Sequence, residues 1–217
     1  MHIVDLSVPV QNGSSCPPSA KAKVEITPVY RKPGHWQASI WKCTLHTGTH
    51  VDSPLHVFEN TETIGEVGLD RVVGEAVKLE LPQVKPNYEI GVADLEPFES
   101  ELKQGDIVVF QTGWTDAMWE QDGYWTESPY LAEDAARWLA EREPKAICFD
   151  YFQEYAARLP DFKPDDFVVH KAILGKGILI VEHLTNLKSV PKRFQFFAAP
   201  AKIMDAEAAP TRAIAVL

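Results

Sequence analysis

Alternating apolar and polar positions dominate the hydrophobicity pattern of this 217-residue chain, and short runs of this kind predict strands. Most of the runs are bounded by turn-forming residues. They lie at 2–7, 22–29, 36–46, 75–81, 106–111, 145–150, 177–184, 194–204 and 212–216. The pattern therefore predicts a chain with many strands and few helices, and its strand-rich first half favours antiparallel pairing.

One segment, 128–142, has clear helical periodicity. Ser128 and Pro129 are the residue types of a helix cap and a first turn. The apolar stripe that follows consists of Leu131, Ala135, Trp138 and Leu139. We expect this stripe to pack in the core rather than to bind a cofactor. The order strand, helix, strand from 106 to 150 predicts a right-handed crossover and a partly parallel sheet.

Composition narrows the class of protein. A hydrophobic fraction of 45% with no linker or repeat fits one domain over 1–217. A net charge of −10 argues against a nucleic-acid partner. The sequence shows neither a signal peptide nor a membrane span, so no membrane partner is expected. Cys16, Cys43 and Cys148 form no CxxC pair, which argues against a disulfide framework and favours a cytoplasmic location.

The stretch HTGTHVDSPLH, from His46 to His56, is the richest concentration of potential metal ligands in the chain. Imidazole and carboxylate groups suit Zn²⁺ and Mn²⁺, and a catalytic site needs about three protein ligands. His46, His50 and Asp52 could supply them. The alternative is an ordinary buried polar loop, but three histidines and an aspartate so close together favour a metal or catalytic site.

Spacing constrains the backbone of this stretch. On a flat strand His46 and His50 would lie roughly 13 Å apart, too far for one ion, so the chain must bend between them. Gly48 lies midway and tolerates the backbone conformations that a bend needs. His50 and Asp52 can then share one face of an extended segment.

A second segment, VVHKAILGKGILIVEHLTNL at 168–187, predicts a short helix ended by glycine and then a strand. Glu182 follows apolar residues on one face of that strand, where an unpaired buried carboxylate is costly, and this supports a ligand role. His170 alone could equally be a structural residue at the helix start. His183 is expected on the opposite face from Glu182, in a structural role.

Together these two blocks resemble the signature of the metal-dependent cyclase-like hydrolases, which include bacterial kynurenine formamidase and isatin hydrolase. TGW at 112–114 and PTRAIAV at 210–216 extend the resemblance over nearly the whole chain. The resemblance implies an α/β fold of the three-layer β/β/α swivelling-domain type with mixed sheets. It also implies a homodimer or homotetramer. We expect the early loop and the apolar segment 193–206 to pack on a neighbouring copy.

The resemblance also implies site roles. His46, His50 and Asp52 match the first metal position of the family. Asp52 as a bridge, His170 and Glu182 match the second, and Glu182 could touch both ions. His56 matches the catalytic acid and base. The expected cofactor is one or two divalent ions, Zn²⁺ first and Mn²⁺ as the alternative.

The expected activity is metal-dependent hydrolysis of an amide C–N bond in a small molecule, as in kynurenine formamidase. Hydrolysis of cyclic amides, imides or lactones, as by isatin hydrolase or dienelactone hydrolase, is the alternative within the same chemistry. A non-catalytic metal-bound scaffold is the alternative from another class. Cys16 stands where formamidases carry a substrate-holding tryptophan, and the segment DYFQEYAARLPDF at 150–162 also departs from their pattern. Both departures weaken the formylkynurenine assignment, and aromatic residues of 150–162 could line a different pocket.

Overall fold

The computed structural model describes residues 1–20, 22–81 and 84–217, and strands dominate this part of the chain. The strands are β1 (Ile3–Asp5), β2 (Glu25–Arg31), β3 (Trp36–Lys42), β4 (His50–Asp52), β5 (Val73–Glu80), β6 (Glu89–Ile90), β7 (Ile107–Gln111), β8 (Tyr130–Leu131), β9 (Ala146–Cys148), β10 (Leu179–Glu182), β11 (Arg193–Phe197), β12 (Ala208–Pro210) and β13 (Ile214–Val216). The α-helices are α1 (Val92–Leu95), α2 (Trp114–Met118), α3 (Glu133–Ala140) and α4 (Val168–Leu174).

Among the described residues, nine of these strands form one mixed sheet in the order β1-β13-β11-β5-β7-β9-β10-β4-β12. The central block β5-β7-β9-β10 is parallel. Its strands β7, β9 and β10 are mostly apolar, as expected for strands that are covered on both faces. The flanking strands pair antiparallel. The crossover from β7 through α3 to β9 confirms the partly parallel sheet that the sequence predicted.

The sheet curls, and each of its faces covers a separate core. On one face Val51 of β4 belongs to the same buried cluster as Val109 of β7 and Phe196 of β11, so the two arms of the sheet close over shared apolar side chains. On the other face α3 and α4 pack over the parallel block, where Leu139 and Ile173 share a cluster with Phe110 and others. This is the β/β/α arrangement that the resemblance implied.

The predicted helix over 128–142 is too long. α3 begins at Glu133, because Tyr130 and Leu131 pair in parallel with Glu89 and Ile90. Ser128 does not cap the helix. Its hydroxyl donates to the carbonyl oxygen of Pro129 and accepts from the amide of Phe152, which fixes a loop instead.

The apolar segment 193–206 also differs from expectation. The predicted strand 194–204 ends at Phe197, and Phe194 and Phe196 are buried in the core of their own chain. The expectation that this segment packs on a neighbouring copy is therefore wrong for its aromatic part. No helix in the described ranges is long and apolar enough to cross a membrane.

Candidate metal centre

A sharp bend at Gly48 brings His46 and His50 together. Gly48 has a φ of +64°, and a Cβ there would overlap the side chain of Val10. β4 begins directly after the bend, so His50 and Asp52 lie on one face of a strand, as the spacing required. The Nδ1 atom of His50 donates to the carbonyl oxygen of Gly48 at 2.8 Å, which turns its Nε2 atom towards Asp52.

Three side-chain atoms of this segment form a compact triangle. His46 Nδ1 lies 3.0 Å from Asp52 Oδ1 and 3.2 Å from His50 Nε2, and His50 Nε2 lies 3.3 Å from Asp52 Oδ1. Ligands at about 2.0–2.1 Å from a tetrahedral ion are separated by about 3.3 Å. The triangle can therefore surround one ion position.

A second group adjoins the first through Asp52. β10 pairs antiparallel with β4, which places Glu182 opposite His50, and α4 supplies His170 from the helical layer. His170 Nε2 lies 3.3 Å from Glu182 Oε1 and 3.8 Å from Asp52 Oδ2. The structure thus brings together all five residues to which the sequence assigned ligand roles.

The imidazole and carboxylate groups of the centre suit a divalent cation, and an observation that does not depend on the resemblance supports this. Both carboxylate oxygens of Asp52 are fully buried and accept no hydrogen bond from any residue that the structure describes. Imidazole nitrogens lie only 3.0–3.8 Å away, but they do not point at these oxygens. Two buried carboxylates, Asp52 and Glu182, need a compensating positive charge. A divalent ion at the shared centre would satisfy both charge and geometry.

Two carboxylates that the sequence analysis did not identify hold the outer nitrogens of the histidines. Glu154 accepts from Nδ1 of His170 at 2.9 Å and from the amides of Val169 and His170 at 3.1 Å. Glu207 Oε1 lies 3.2 Å from Nε2 of His46. Metal-binding histidines usually have such a partner on the nitrogen that faces away from the ion. Neither residue shows a local pattern that could have revealed it, because each contact joins distant segments.

The buried carboxylates of the centre favour the protonated forms of two of its histidines. Burial opposes charge on His46, but the carboxylates of Asp52 and Glu207 outweigh it and raise the pKa of His46 to about 10. Burial likewise opposes charge on His170, whereas hydrogen bonds to Glu154 and Glu182 raise its pKa to about 10. Burial alone would raise the pKa of Asp52, but His50 and His46 hold it well below its usual range. A bound cation would replace these protons.

His183 does not lie where the sequence predicted. Its φ of +59° breaks the alternation at the end of β10, so the ring turns back towards Glu182 instead of the opposite face. Its Nε2 atom lies 3.3 Å from Glu182 Oε2. The predicted position was wrong because a left-handed residue after the strand could not be read from the alternation.

His56 lies beside the ligands and lines the cavity that leads to them. The turn Pro54–His56 follows β4 and sets the His56 ring with its centroid 4.2 Å from that of His46 and 5.2 Å from that of His170. Burial lowers the pKa of His56 to about 3, and the charges on His46 and His170 act in the same direction, so the ring is neutral near pH 7.

The cavity has a volume of about 210 Å³, and its walls combine the metal-ligand candidates with apolar side chains. Phe152 and Phe167 contribute aromatic walls, and Pro17 lies at the early loop. Of the segment 150–162, Phe152 lines the cavity, whereas Tyr151 is buried in the helix-side core. Cys16 is buried beside Thr47, with 3.3 Å between its Sγ and the threonine Oγ1.

A model of the Cyclase family matches residues 4–153. Kynurenine formamidase from Salinibacter ruber is 30% identical over 178 residues, which cover 80% of this chain and 76% of the relative. Kynurenine formamidase from Erythrobacter litoralis is 32% identical, with 79% of this chain and 73% of the relative covered. The chain therefore belongs to the Cyclase family, and it is a hydrolase of that family.

Solved structures share the fold. A protein described as a "predicted metal-dependent hydrolase" from Bacillus stearothermophilus is 29% identical with a TM-score of 0.75, and the match covers 99% of this chain and 97% of the other. Isatin hydrolase A from Ralstonia solanacearum has a TM-score of 0.81 at 21% identity, with 99% and 91% covered. The second likeness is one of fold alone.

Proposed function

We propose that this protein is a metal-dependent hydrolase that cleaves an amide C–N bond of a small aromatic substrate, with an activity like that of kynurenine formamidase. The observation that carries the proposal is the buried Asp52 carboxylate, which lies among three imidazole nitrogens and receives no hydrogen bond within the described chain. The similarity to kynurenine formamidases at 30–32% identity and to a protein described as a "predicted metal-dependent hydrolase" supports it.

The proposed metal ligands are His46, His50 and Asp52 for one position, and Asp52, His170 and Glu182 for a second. A divalent ion bound there would supply the positive charge that activates water and polarises a carbonyl oxygen. Zn²⁺ is the proposed ion because imidazole and carboxylate ligands with separations near 3.3 Å suit it, and Mn²⁺ is the alternative.

His56 is the proposed proton carrier. Its neutral ring, held between His46 and His170, can accept a proton from water that attacks the carbonyl carbon and return it to the leaving nitrogen. Phe152 and Phe167 would hold the substrate ring against the apolar side of the cavity and exclude bulk water.

Cyclic amides, imides and lactones are the second candidate class of substrate. The observation that favours them lies at the early loop. Cys16 is buried against Thr47 and its neighbour Pro17 lines the cavity, whereas the formamidases that this chain resembles use a tryptophan at this position to hold the aromatic substrate. The reaction centre would be the same for both classes, because each requires attack of water on a carbonyl carbon.

The test is an assay of purified protein with N-formylkynurenine, isatin, dienelactone and simple imides, before and after removal of metal and addition of Zn²⁺ or Mn²⁺. We expect turnover that depends on the metal. The variant His50→Ala should lose both metal and activity, because it removes one of the three ligands of the first proposed metal position. His2→Ala, at an exposed histidine, is the control. Full turnover by metal-free protein would refute the mechanism, and metal binding without turnover of any substrate class would favour a scaffold.

A further inference from the structure

His183 belongs to neither of the two proposed ligand sets, but it has the features of a metal ligand. The residue is fully buried at the end of β10, and its Nε2 atom has no hydrogen-bond partner among the described residues. This nitrogen lies 3.3 Å from Glu182 Oε2 but is not aligned with it. The same combination of proximity and misalignment marks Asp52 in the first proposed ligand set.

A chain of hydroxyl groups determines which ring nitrogen of His183 carries the proton. The hydroxyl of Thr115 lies 2.7 Å from the carbonyl oxygen of Asp150, which can only accept, so the proton of Thr115 is used there. Tyr124 must then donate to Thr115 across 3.1 Å. The oxygen of Tyr124 is left to accept from Nδ1 of His183 at 2.7 Å. With the proton of His183 on Nδ1, each of these three hydrogen bonds has one donor and one acceptor.

The assignment leaves Nε2 of His183 with a buried lone pair that accepts no hydrogen bond from any described residue. That lone pair and the Glu182 carboxylate are both acceptors, and burial keeps water from separating them. His50 Nε2, a third acceptor once its Nδ1 has donated to Gly48, lies 3.5 Å from the same carboxylate oxygen. With His46 protonated, its Nδ1 atom is the donor to His50 Nε2 at 3.2 Å, whereas His183 Nε2 has no donor among the described residues. A cation between His183 Nε2 and the Glu182 carboxylate, in place of the His46 proton on His50, would resolve the conflict between the acceptors.

The distances also suit an ion. Separations of 3.3 Å and 3.5 Å are close to the edge of about 3.3 Å expected around a tetrahedral Zn²⁺. The inward atoms of His50, Glu182 and His183 all lie within 4.8 Å of one another. The hydroxyl of Tyr124 fixes the outer nitrogen of His183 as Glu154 fixes that of His170.

We propose that His183 is a metal ligand that forms, with His50 and Glu182, a third ion position in the centre. His50 has one inward nitrogen, so an ion at this position and an ion at His46, His50 and Asp52 exclude each other and exchange. The inference rests on the metal-binding part of the proposed function and not on the substrate.

The first experiment locates the ion in crystals of the full wild-type chain soaked in Zn²⁺. Anomalous scattering should place an ion, at full or partial occupancy, about 2.0–2.3 Å from Nε2 of His183. Ions found only at the other two positions, with each more than 3 Å from this nitrogen, would overturn the proposal.

The second experiment uses Co²⁺ as a spectroscopic probe in wild type, His183→Gln, Tyr124→Phe and the exposed control His2→Gln. We expect His183→Gln to change the Co²⁺ visible spectrum and to weaken Zn²⁺ binding at least tenfold in competition with a chelator. Tyr124→Phe should weaken binding less, and His2→Gln should match wild type. A folded His183→Gln protein with wild-type spectrum and affinity would overturn the proposal, and the crystal result decides if that variant does not fold.

The two proposals can fail separately. Wild-type protein that binds no divalent ion would refute both. Wild type that binds metal and hydrolyses substrate, with a His183→Gln variant of unchanged affinity and spectrum, would refute only the ligand role of His183.

Discussion

The histidines of the centre differ in what holds their second nitrogen. His46 contacts Glu207, His50 donates to Gly48, and His170 donates to Glu154. The side chain of His56, by contrast, makes no hydrogen bond to a residue in the described part of the chain, although its ring lies against His46. A ring that is fixed on one side suits ligation, whereas a ring that is free on both nitrogens suits proton transfer.

This difference predicts that His56→Ala separates catalysis from metal binding. We expect kcat to fall by roughly 10² to 10⁴ while the metal content stays near that of wild type. Steady-state kinetics and elemental analysis on the same preparation measure both. An unchanged kcat from pH 6 to 9 would assign His56 a structural role.

For a variant of Glu154 we predict the opposite result, a loss of metal affinity, because Glu154 contacts the proposed ligand His170 rather than the substrate. Glu154→Gln keeps an acceptor oxygen but removes the charge that holds the Nδ1 proton of His170. We expect Zn²⁺ affinity to fall by about 10- to 100-fold in a chelator competition assay. Glu133→Gln, at an exposed surface ion pair, is the matched control and should bind as wild type does. Equal affinities for both variants would show that Glu154 does not orient the ligand.

At the scale of elements, the pairing of β4 with β10 determines how the two ligand blocks meet. Glu182 lies opposite His50 in this register, and Ile180 lies opposite Asp52. A shift of one residue in this register would turn Glu182 to the other face of the sheet, and the residues of the two ligand groups would no longer lie together. The bend at Gly48 is equally necessary, because it sets His46 beside the strand that carries the other two ligands.

Gly48 and Gly13 provide a test of that bend. Both have positive φ values, +64° and +89°, but a Cβ at Gly48 would overlap Val10, whereas a Cβ at Gly13 has open space around it. Gly13→Ala should therefore lower the free energy of unfolding by about 1–2 kcal/mol from backbone strain alone. Gly48→Ala should lower it by about 1–3 kcal/mol more from overpacking, and should also weaken metal binding. Urea unfolding of the two variants measures the difference, and equal losses would contradict a steric role for Gly48.

At the scale of the whole molecule, the hairpin of β2 and β3 is a segment of the described chain whose two strands are left largely uncovered by the rest of the fold. Nearly every residue of the hairpin is exposed, including Trp36 at 47%, Ile40 at 63% and Trp41 at 51%. An isolated two-stranded hairpin is marginally stable in water, and a large exposed apolar surface marks an interaction site. The hairpin also connects the cavity residues Ala20 and Thr44.

We expect the hairpin to pack on a second copy, so that the protein is a homodimer or homotetramer. Trp36 and Ile40 share one face of β3, and the double variant Trp36→Ser/Ile40→Ser should shift the protein towards the monomer. Leu69→Ser, at an exposed leucine outside the hairpin, should leave the assembly unchanged. Light scattering after size-exclusion chromatography measures both. A wild-type mass of 24.3 kDa at micromolar concentration would exclude the oligomer.

The sequence by itself determined most strands of the main sheet, although not β12, and the candidate ligands of the centre. Short strand-like runs bounded by turn residues located β5, β7, β9 and β10, and the last three of these are mostly apolar. The ligand candidates from His46 to Asp52 could be identified because they are close in sequence, and their spacing required the bend that Gly48 makes.

Only the tertiary structure decided features that depend on distant segments. Tyr130 and Leu131 became a strand because Glu89 and Ile90 pair with them, against their helical pattern. Glu154 and Glu207 became partners of histidines 16 and 161 residues away along the chain. His183 turned towards Glu182 through a left-handed backbone conformation that a period of two does not reveal. Periodicity reports the burial of each face locally, whereas these contacts arise from the way the sheet curls and closes on itself.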